Sequence, residues 1–236
     1  MSVYEKKAEY GGVLAHIRIP EEPTGLMFIA PGAQVNVSDD IIAYTQQAAE
    51  DKGLATVVAA LGGVPLNTSD VTNVHKNFTS ALQGVVDGYM ADNDYTPDEF
   101  EMVGHSMGGS AVFQIAAENP VSRITTLDPM SVSEETLKTI HCPTEIVVSS
   151  VRSCKNIGKR IHSDLQMNGH NAGLHHIETS ETRSEGHMFL GQEQQIAAII
   201  QGQKIIGEST YDADSLSTDQ ELFGAINPDD NAPTNV

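Results

Sequence analysis

The sequence predicts an α/β protein in which a mostly parallel sheet carries helices on both faces, with little or no lid. Short runs such as the continuously apolar Gly25–Ala30 and the largely apolar Leu54–Leu61 have the length and composition of strands buried on both sides. Between them lie helix-length amphipathic segments, and strands alternating with such helices imply right-handed crossovers and parallel pairing. The chain of 236 residues is close to the roughly 250 at which one core stops growing, so a single domain is expected. It should cover residues 1–207, with 208–236 as an acidic, flexible tail.

Taken in order, residues 8–20 alternate apolar and polar and suit an edge strand or hairpin closed by Pro20 and Pro23. The run Gly25–Ala30 stops at Pro31-Gly32. Ser38, Asp39 and Asp40 then signal a helix start, and Ile41–Lys52 continues to Gly53. After Leu54–Leu61, a helix is expected from about Ser69 to Tyr89, since Val71, Val74, Phe78, Leu82 and Val85 recur at three- and four-residue spacing. Phe100–His105 is a strand that breaks into small residues and restarts as a helix ending before Asn119-Pro120. Three further units follow. They are Ile124–Leu127 with a helix over 131–140, Thr144–Ser150 with a helix around Ile157–Met167, and Leu174–Thr179 with a closing helix over 192–206.

The chemistry centres on Gly104-His105-Ser106-Met107-Gly108, a G-x-S-x-G pattern. A serine at the tip of a sharp strand-to-helix turn sits at strained backbone angles, so the positions two before and two after it must lack bulk. Its hydroxyl is a weak nucleophile that needs a histidine base, which in turn needs a carboxylate. In a parallel sheet such groups lie at the C-terminal ends of strands. Of nine histidines, His187 alone stands in a small-residue loop between the last strand and the closing helix. His16, His175 and His176 fall inside strands and His75 and His162 inside helices; His105 is expected to point away from the serine. Asp128 ends the strand after the nucleophile's helix and is the expected acid, ahead of Asp164, because the end of the next strand reads Ser149-Ser150-Val151-Arg152 and has no carboxylate. The amides of Met107 and Ala33 are the expected oxyanion donors. Met107, Met130 and Met188 lie within two positions of these three residues, and Met130 and Met188 are expected to line an adaptable acyl pocket.

The order Ser106, Asp128, His187, the Gly-His-Ser-Met-Gly-Gly turn, Ala30-Pro31-Gly32 and the ending Gly186-His187-Met188-Phe189 resemble the α/β-hydrolase superfamily over roughly residues 10–206. Within it they are similar to the lipase, cutinase and dienelactone-hydrolase branch. That resemblance implies an α/β-hydrolase fold and a carboxylesterase or lipase-type serine hydrolase that acts on a small-molecule ester through an acyl-enzyme, without cofactor or metal. Two departures stand out. Members of that branch take the acid from the strand after the one that carries Asp128, and secreted cutinases have signal peptides and disulfides. A thioesterase or peptidase would use the same residues, and a non-catalytic binding protein on this fold is the alternative of a different class.

Composition sets the remaining expectations. With 32 acidic against 13 basic residues the net charge is −19, which argues against nucleic acid as a partner. Residues 208–236 hold seven of the acids and no Lys or Arg, so the body is acidic too. No apolar window reaches the roughly 20 residues that span a membrane, and Met1–Lys7 lacks a secretory apolar stretch, so stable membrane insertion is not expected and a cytoplasmic location is. Cys142 and Cys154, the only cysteines, show no zinc-ligand spacing and are expected to be reduced.

Overall fold

A computed structural model describes residues 2–33, 35–61, 71–93, 99–180 and 182–203. The acidic segment 208–236 lies outside these residues, as do the turn at 62–65 and residues 204–206; the closing helix, expected to reach 206, ends at Ile200. Eight strands form one sheet: β1 (Val3–Tyr10), β2 (Val13–Pro20), β3 (Gly25–Ala30), β4 (Leu54–Ala60), β5 (Phe100–His105), β6 (Arg123–Leu127), β7 (Thr144–Val148) and β8 (Ala172–His176). Their order is β1-β2-β4-β3-β5-β6-β7-β8. The hairpin β1–β2 turns at Gly11-Gly12, both at positive φ, and β2 pairs antiparallel with β4; every later pairing is parallel.

Helices α1 (Asp40–Asp51), α2 (Val71–Asn93), α3 (Met107–Ala116), α4 (Glu134–Lys138), α5 (Arg152–Met167), α6 (Arg183–Gly186) and α7 (Glu193–Ile200) cover the sheet. Two buried layers result. One gathers side chains from α2, α3, α4 and α5 around Phe28, Met102, Phe113 and Ile146. The other gathers α1 and α7 around Ile29, Val58, Val103 and Phe189. The alternation along each central strand explains this: Phe28 faces one layer and its neighbours Met27 and Ile29 the other, as a two-residue period requires. Phe28 meets Tyr89 of α2 and Phe100 of β5 edge to face, with ring centres 6.1 Å apart in both; the first contact docks α2 on the sheet, and each contributes about 0.5–1.5 kcal/mol.

Several boundaries differ from expectation. The hairpin starts at Val3 rather than residue 8. Helix α4 is shorter than 131–140 because Ser133 caps it, its Oγ accepting from the Thr136 amide at 3.2 Å. Helix α5 begins at Arg152, a full turn before Ile157, and its buried residues Cys154, Gly158, Ile161 and Leu165 follow a helical period. A Cβ at Gly158 would lie 2.2 Å from Val148 Cγ1, so α5 sits tightly on β7. Strand β8 ends at His176, not Thr179. Ile177 adds one more ladder bond to Val148, after which the Ser150 and Thr179 side chains take over the backbone amides of each other's residue. Among the described residues no helix is long and apolar enough to cross a membrane.

The register aligns the ends of the strands. Ala30 pairs with Gly104, and His105 with Leu127, which pairs with Val147. One further bond extends each pairing: Ser106 N–H to Leu127 O at 2.9 Å, and Asp128 N–H to Val147 O at 2.8 Å. Residues 31–33, Ser106, Asp128 and Ser149 therefore emerge side by side along one edge, a few strand spacings of about 4.8 Å apart in all.

Candidate active site

Ser106 joins β5 to α3 at φ 55° and ψ −116°, a conformation that costs a non-glycine residue about 1–3 kcal/mol. Close packing of small residues holds it there. A Cβ at Gly104 would lie 2.4 Å from Gly108 O, and one at Gly108 would lie 2.1 Å from Ala30 O. The turn thus brings α3 directly onto the end of β3, and neither glycine position has room for a side chain. Gly32 is also tightly packed, since a Cβ there would lie 2.9 Å from His105 Nδ1 and 3.0 Å from Ser106 Cβ. The loop that carries the Ala33 amide consequently lies against the serine, and that amide has no hydrogen-bond partner among the described residues. Met107, the first residue of α3, offers its amide at the positive end of the helix.

Asp128 follows β6 at φ 45°, an angle Asp tolerates better than most residues, and is 1% exposed. One oxygen, Oδ1, accepts from the Ser149 amide at 2.8 Å; the other, Oδ2, accepts from Ser149 Oγ at 2.6 Å and from His187 Nδ1 at 3.0 Å. The carboxylate can only accept, so Nδ1 carries the proton and Nε2 presents a lone pair. Ser149 stands at the end of β7, where the sequence offers no acid; its role is to hold the acid supplied by the neighbouring strand. Asp164, on α5, makes no hydrogen bond to His187.

His187 follows the single turn α6 and is held by its neighbours. A Cβ at Gly186 would lie 1.9 Å from Ser180 O, so only glycine fits before it. Phe189, buried and at φ 52°, plugs the loop into the α1–α7 layer. The structure brings Ser106, Asp128 and His187 to the same edge, and Ser106 Oγ makes no hydrogen bond to His187 here. Such bonds are commonly looser before substrate arrives.

Two participants escape a reading by sequence. His105 is 3% exposed, and its ring lies 4.7 Å from that of His187, centre to centre. Its Nε2–H donates to the His187 carbonyl at 2.8 Å, which leaves Nδ1 buried without a partner among the described residues. Burial, with the His187 charge as a lesser cause, pushes the His105 imidazole down to about 4, so it stays neutral. The bond from Nε2 fastens the backbone of His187. The other is Cys154, 8% exposed, with Sγ 3.7 Å from His187 Nδ1. Burial, then the Asp128 charge, raises its thiol to about 12, and neither cysteine is in a disulfide. Both contacts join segments far apart in the chain. The sole sequence signal was the helical spacing of Cys154 with Gly158 and Ile161.

Met130 and Met188 are both partly buried, but Met130 packs on the layer of α2–α5 and Met188 on the opposite layer.

No family model matches the chain, and no curated protein matches it by sequence. Solved structures do. A dienelactone hydrolase from Anabaena variabilis superimposes with a TM-score of 0.71 at 19% identity, covering 85% of this chain and 95% of that one. Est1E from Butyrivibrio proteoclasticus gives 0.67 at 16% identity, over 84% and 96%. Carboxyl esterase 2 from the fungus Tuber melanosporum gives 0.65 at 12%, over 85% and 87%. The chain has the α/β-hydrolase fold. At these identities the likeness establishes the architecture, and the chemistry of this α/β-hydrolase-fold protein must be argued from its own residues.

Proposed function

We propose that the protein is a serine hydrolase of carboxylic esters, working through an acyl-enzyme. The observation that carries this reading is a buried Asp128 whose Oδ2 lies 3.0 Å from His187 Nδ1, on the same sheet edge as a serine held at φ 55°. Ser106 Oγ attacks the ester carbonyl while His187 Nε2 takes its proton, and Asp128 stabilises the imidazolium that forms. The Met107 and Ala33 amides receive the oxyanion; a single donor of this kind is worth about 2.7–4 kcal/mol. His187 then passes the proton to the departing alkoxide. A water, deprotonated by the same nitrogen, releases the acid. None of these steps draws on a metal or cofactor. Met130 and Met188, one from each layer, are proposed to border the acyl side. If so, replacing both by Ala changes the relative rates on short- and long-chain esters.

The test is hydrolysis of p-nitrophenyl acetate and butyrate, with fluorophosphonate labelling alongside. Ser106→Ala should abolish both. Undiminished turnover by that variant would sink the proposal, and a folded parent protein that takes no label would favour a binding protein instead.

A further inference from the structure

Asp128, Cys154 and His187 come from three separate elements, β6, α5 and the loop after α6, yet their ligand atoms all lie within 4.8 Å of one another. One carboxylate oxygen, one thiol and one imidazole nitrogen are a donor set suited to a borderline-soft divalent cation such as Zn²⁺ or Cd²⁺. The spacing fits as well. Tetrahedral zinc, with bonds of about 2.0–2.1 Å to nitrogen, 2.0–2.2 Å to oxygen and 2.3 Å to sulfur, sets N···O near ~3.4 Å and N···S near ~3.6 Å. The structure has 3.0 Å from His187 Nδ1 to Asp128 Oδ2 and 3.7 Å from Nδ1 to Cys154 Sγ. Closing on a metal therefore asks for movements of about 0.4 Å or less along these two edges. Asp128 keeps its support meanwhile, because the Ser149 amide stays on Oδ1 and the Ser149 hydroxyl on Oδ2, so that Oδ2 exchanges only its His187 hydrogen bond for the cation.

We infer that Asp128, Cys154 and His187 form an inhibitory site for a soft divalent cation, which switches the base off by taking its Nδ1. The balance of the step is simple. Cys154 loses its S–H proton to solvent and binds as thiolate. The imidazole moves its proton from Nδ1 to Nε2, and the freed Nδ1 lone pair binds the metal. One cation enters and one proton leaves. The consequence lies on the other side of the ring, where Nε2 now carries a hydrogen and cannot accept one from Ser106. A net charge of −19 draws cations towards the protein at low ionic strength. The inhibition rests on the esterase reading above, whereas the binding does not.

Binding is therefore read without turnover. Full-length Ser106→Ala is titrated with CdCl₂, and the ultraviolet thiolate-to-cadmium charge-transfer band is followed. The band should saturate at one Cd²⁺ per chain, persist when Cys142→Ser is added, and vanish when Cys154→Ser or Cys154→Ala is added, with circular dichroism confirming that each variant is folded. In the parent, ZnCl₂ should inhibit p-nitrophenyl butyrate hydrolysis, and EDTA should restore it. Losing one ligand should raise the inhibitory concentration at least about tenfold in Cys154→Ser, each protein being referred to its own metal-free rate. A missing band at millimolar Cd²⁺, or a band that survives loss of Cys154, overturns the site. A band without Zn²⁺ inhibition of a working esterase overturns the switch. If the parent hydrolyses nothing, the esterase reading fails and the band still decides the site.

Discussion

Acidification should remove a defined share of the protein's stability through His105, and His105→Gln should abolish that share. The imidazole is almost wholly buried, donates from Nε2 to the His187 carbonyl at 2.8 Å, and titrates at about 4 instead of its ordinary 6.5. In the unfolded chain the ring takes a proton below 6.5; in the folded chain it does so only near 4. Between those values the unfolded state holds more protons, so stability is fully present above 6.5 and falls as the pH drops towards 4. At about 1.4 kcal/mol per pH unit the loss is roughly 3 kcal/mol. Gln keeps an N–H donor and does not titrate. Urea unfolding of both proteins at about pH 7.5 and about pH 4 measures the effect, because titration of the half-buried histidines (His16, His75, His162 and His176, all lowered chiefly by desolvation) is common to both. Wild type minus variant should shrink by roughly 3 kcal/mol on acidification. A difference constant within about 0.5 kcal/mol would mean that His105 is not held neutral by burial, and would refute the reasoning.

The other predictions concern the acid and the turn. Ser149→Ala removes the 2.6 Å bond to Asp128 Oδ2 and leaves the 2.8 Å amide bond. A hydrogen bond to a charged group is worth about 1.5–3 kcal/mol, so kcat should fall on the order of 10- to 100-fold with KM nearly unchanged; steady-state kinetics showing a kcat within about twofold of the parent would remove Ser149 from the site. Gly108→Ala would put a methyl 2.1 Å from Ala30 O and 2.6 Å from Pro31 O, both backbone atoms that cannot turn aside. Its cost should exceed about 3 kcal/mol, seen as a large drop in thermal midpoint with loss of fluorophosphonate labelling. An unchanged midpoint would mean that α3 does not rest on β3 as described.

Much of the fold is legible in the residues because each strand and helix here is specified locally. Gly25–Ala30 is apolar without a break, which suits burial on both faces of a sheet, and Phe100–His105 is buried along its whole length although it carries Glu101 and His105. The turn at Ser106 was equally legible, since a strained backbone demands glycines at fixed offsets. Boundaries were less so. The first turn of α5 lies hidden in Arg152-Ser153-Cys154-Lys155, which has no apolar period until Gly158 and Ile161 show which face is buried. Strand β8 stops short because hydrogen bonds between Ser150 and Thr179, in the segments that follow β7 and β8, took the amides a longer strand would have used.

By itself, the sequence determined a parallel sheet between helices, the strained turn at Ser106, the place of Asp128 at a strand end and that of His187 in the loop before the closing helix, all consequences of short-range periodicity and backbone sterics. Tertiary structure alone decided what surrounds them. Ser149, at a strand end that has no carboxylate, holds the one that follows the preceding strand, His105 fastens the backbone of His187 across 82 positions, and Cys154 meets the His187 ring across 33. These contacts leave no trace in spacing, because each depends on how separate strands and helices are brought into register at one edge of the sheet.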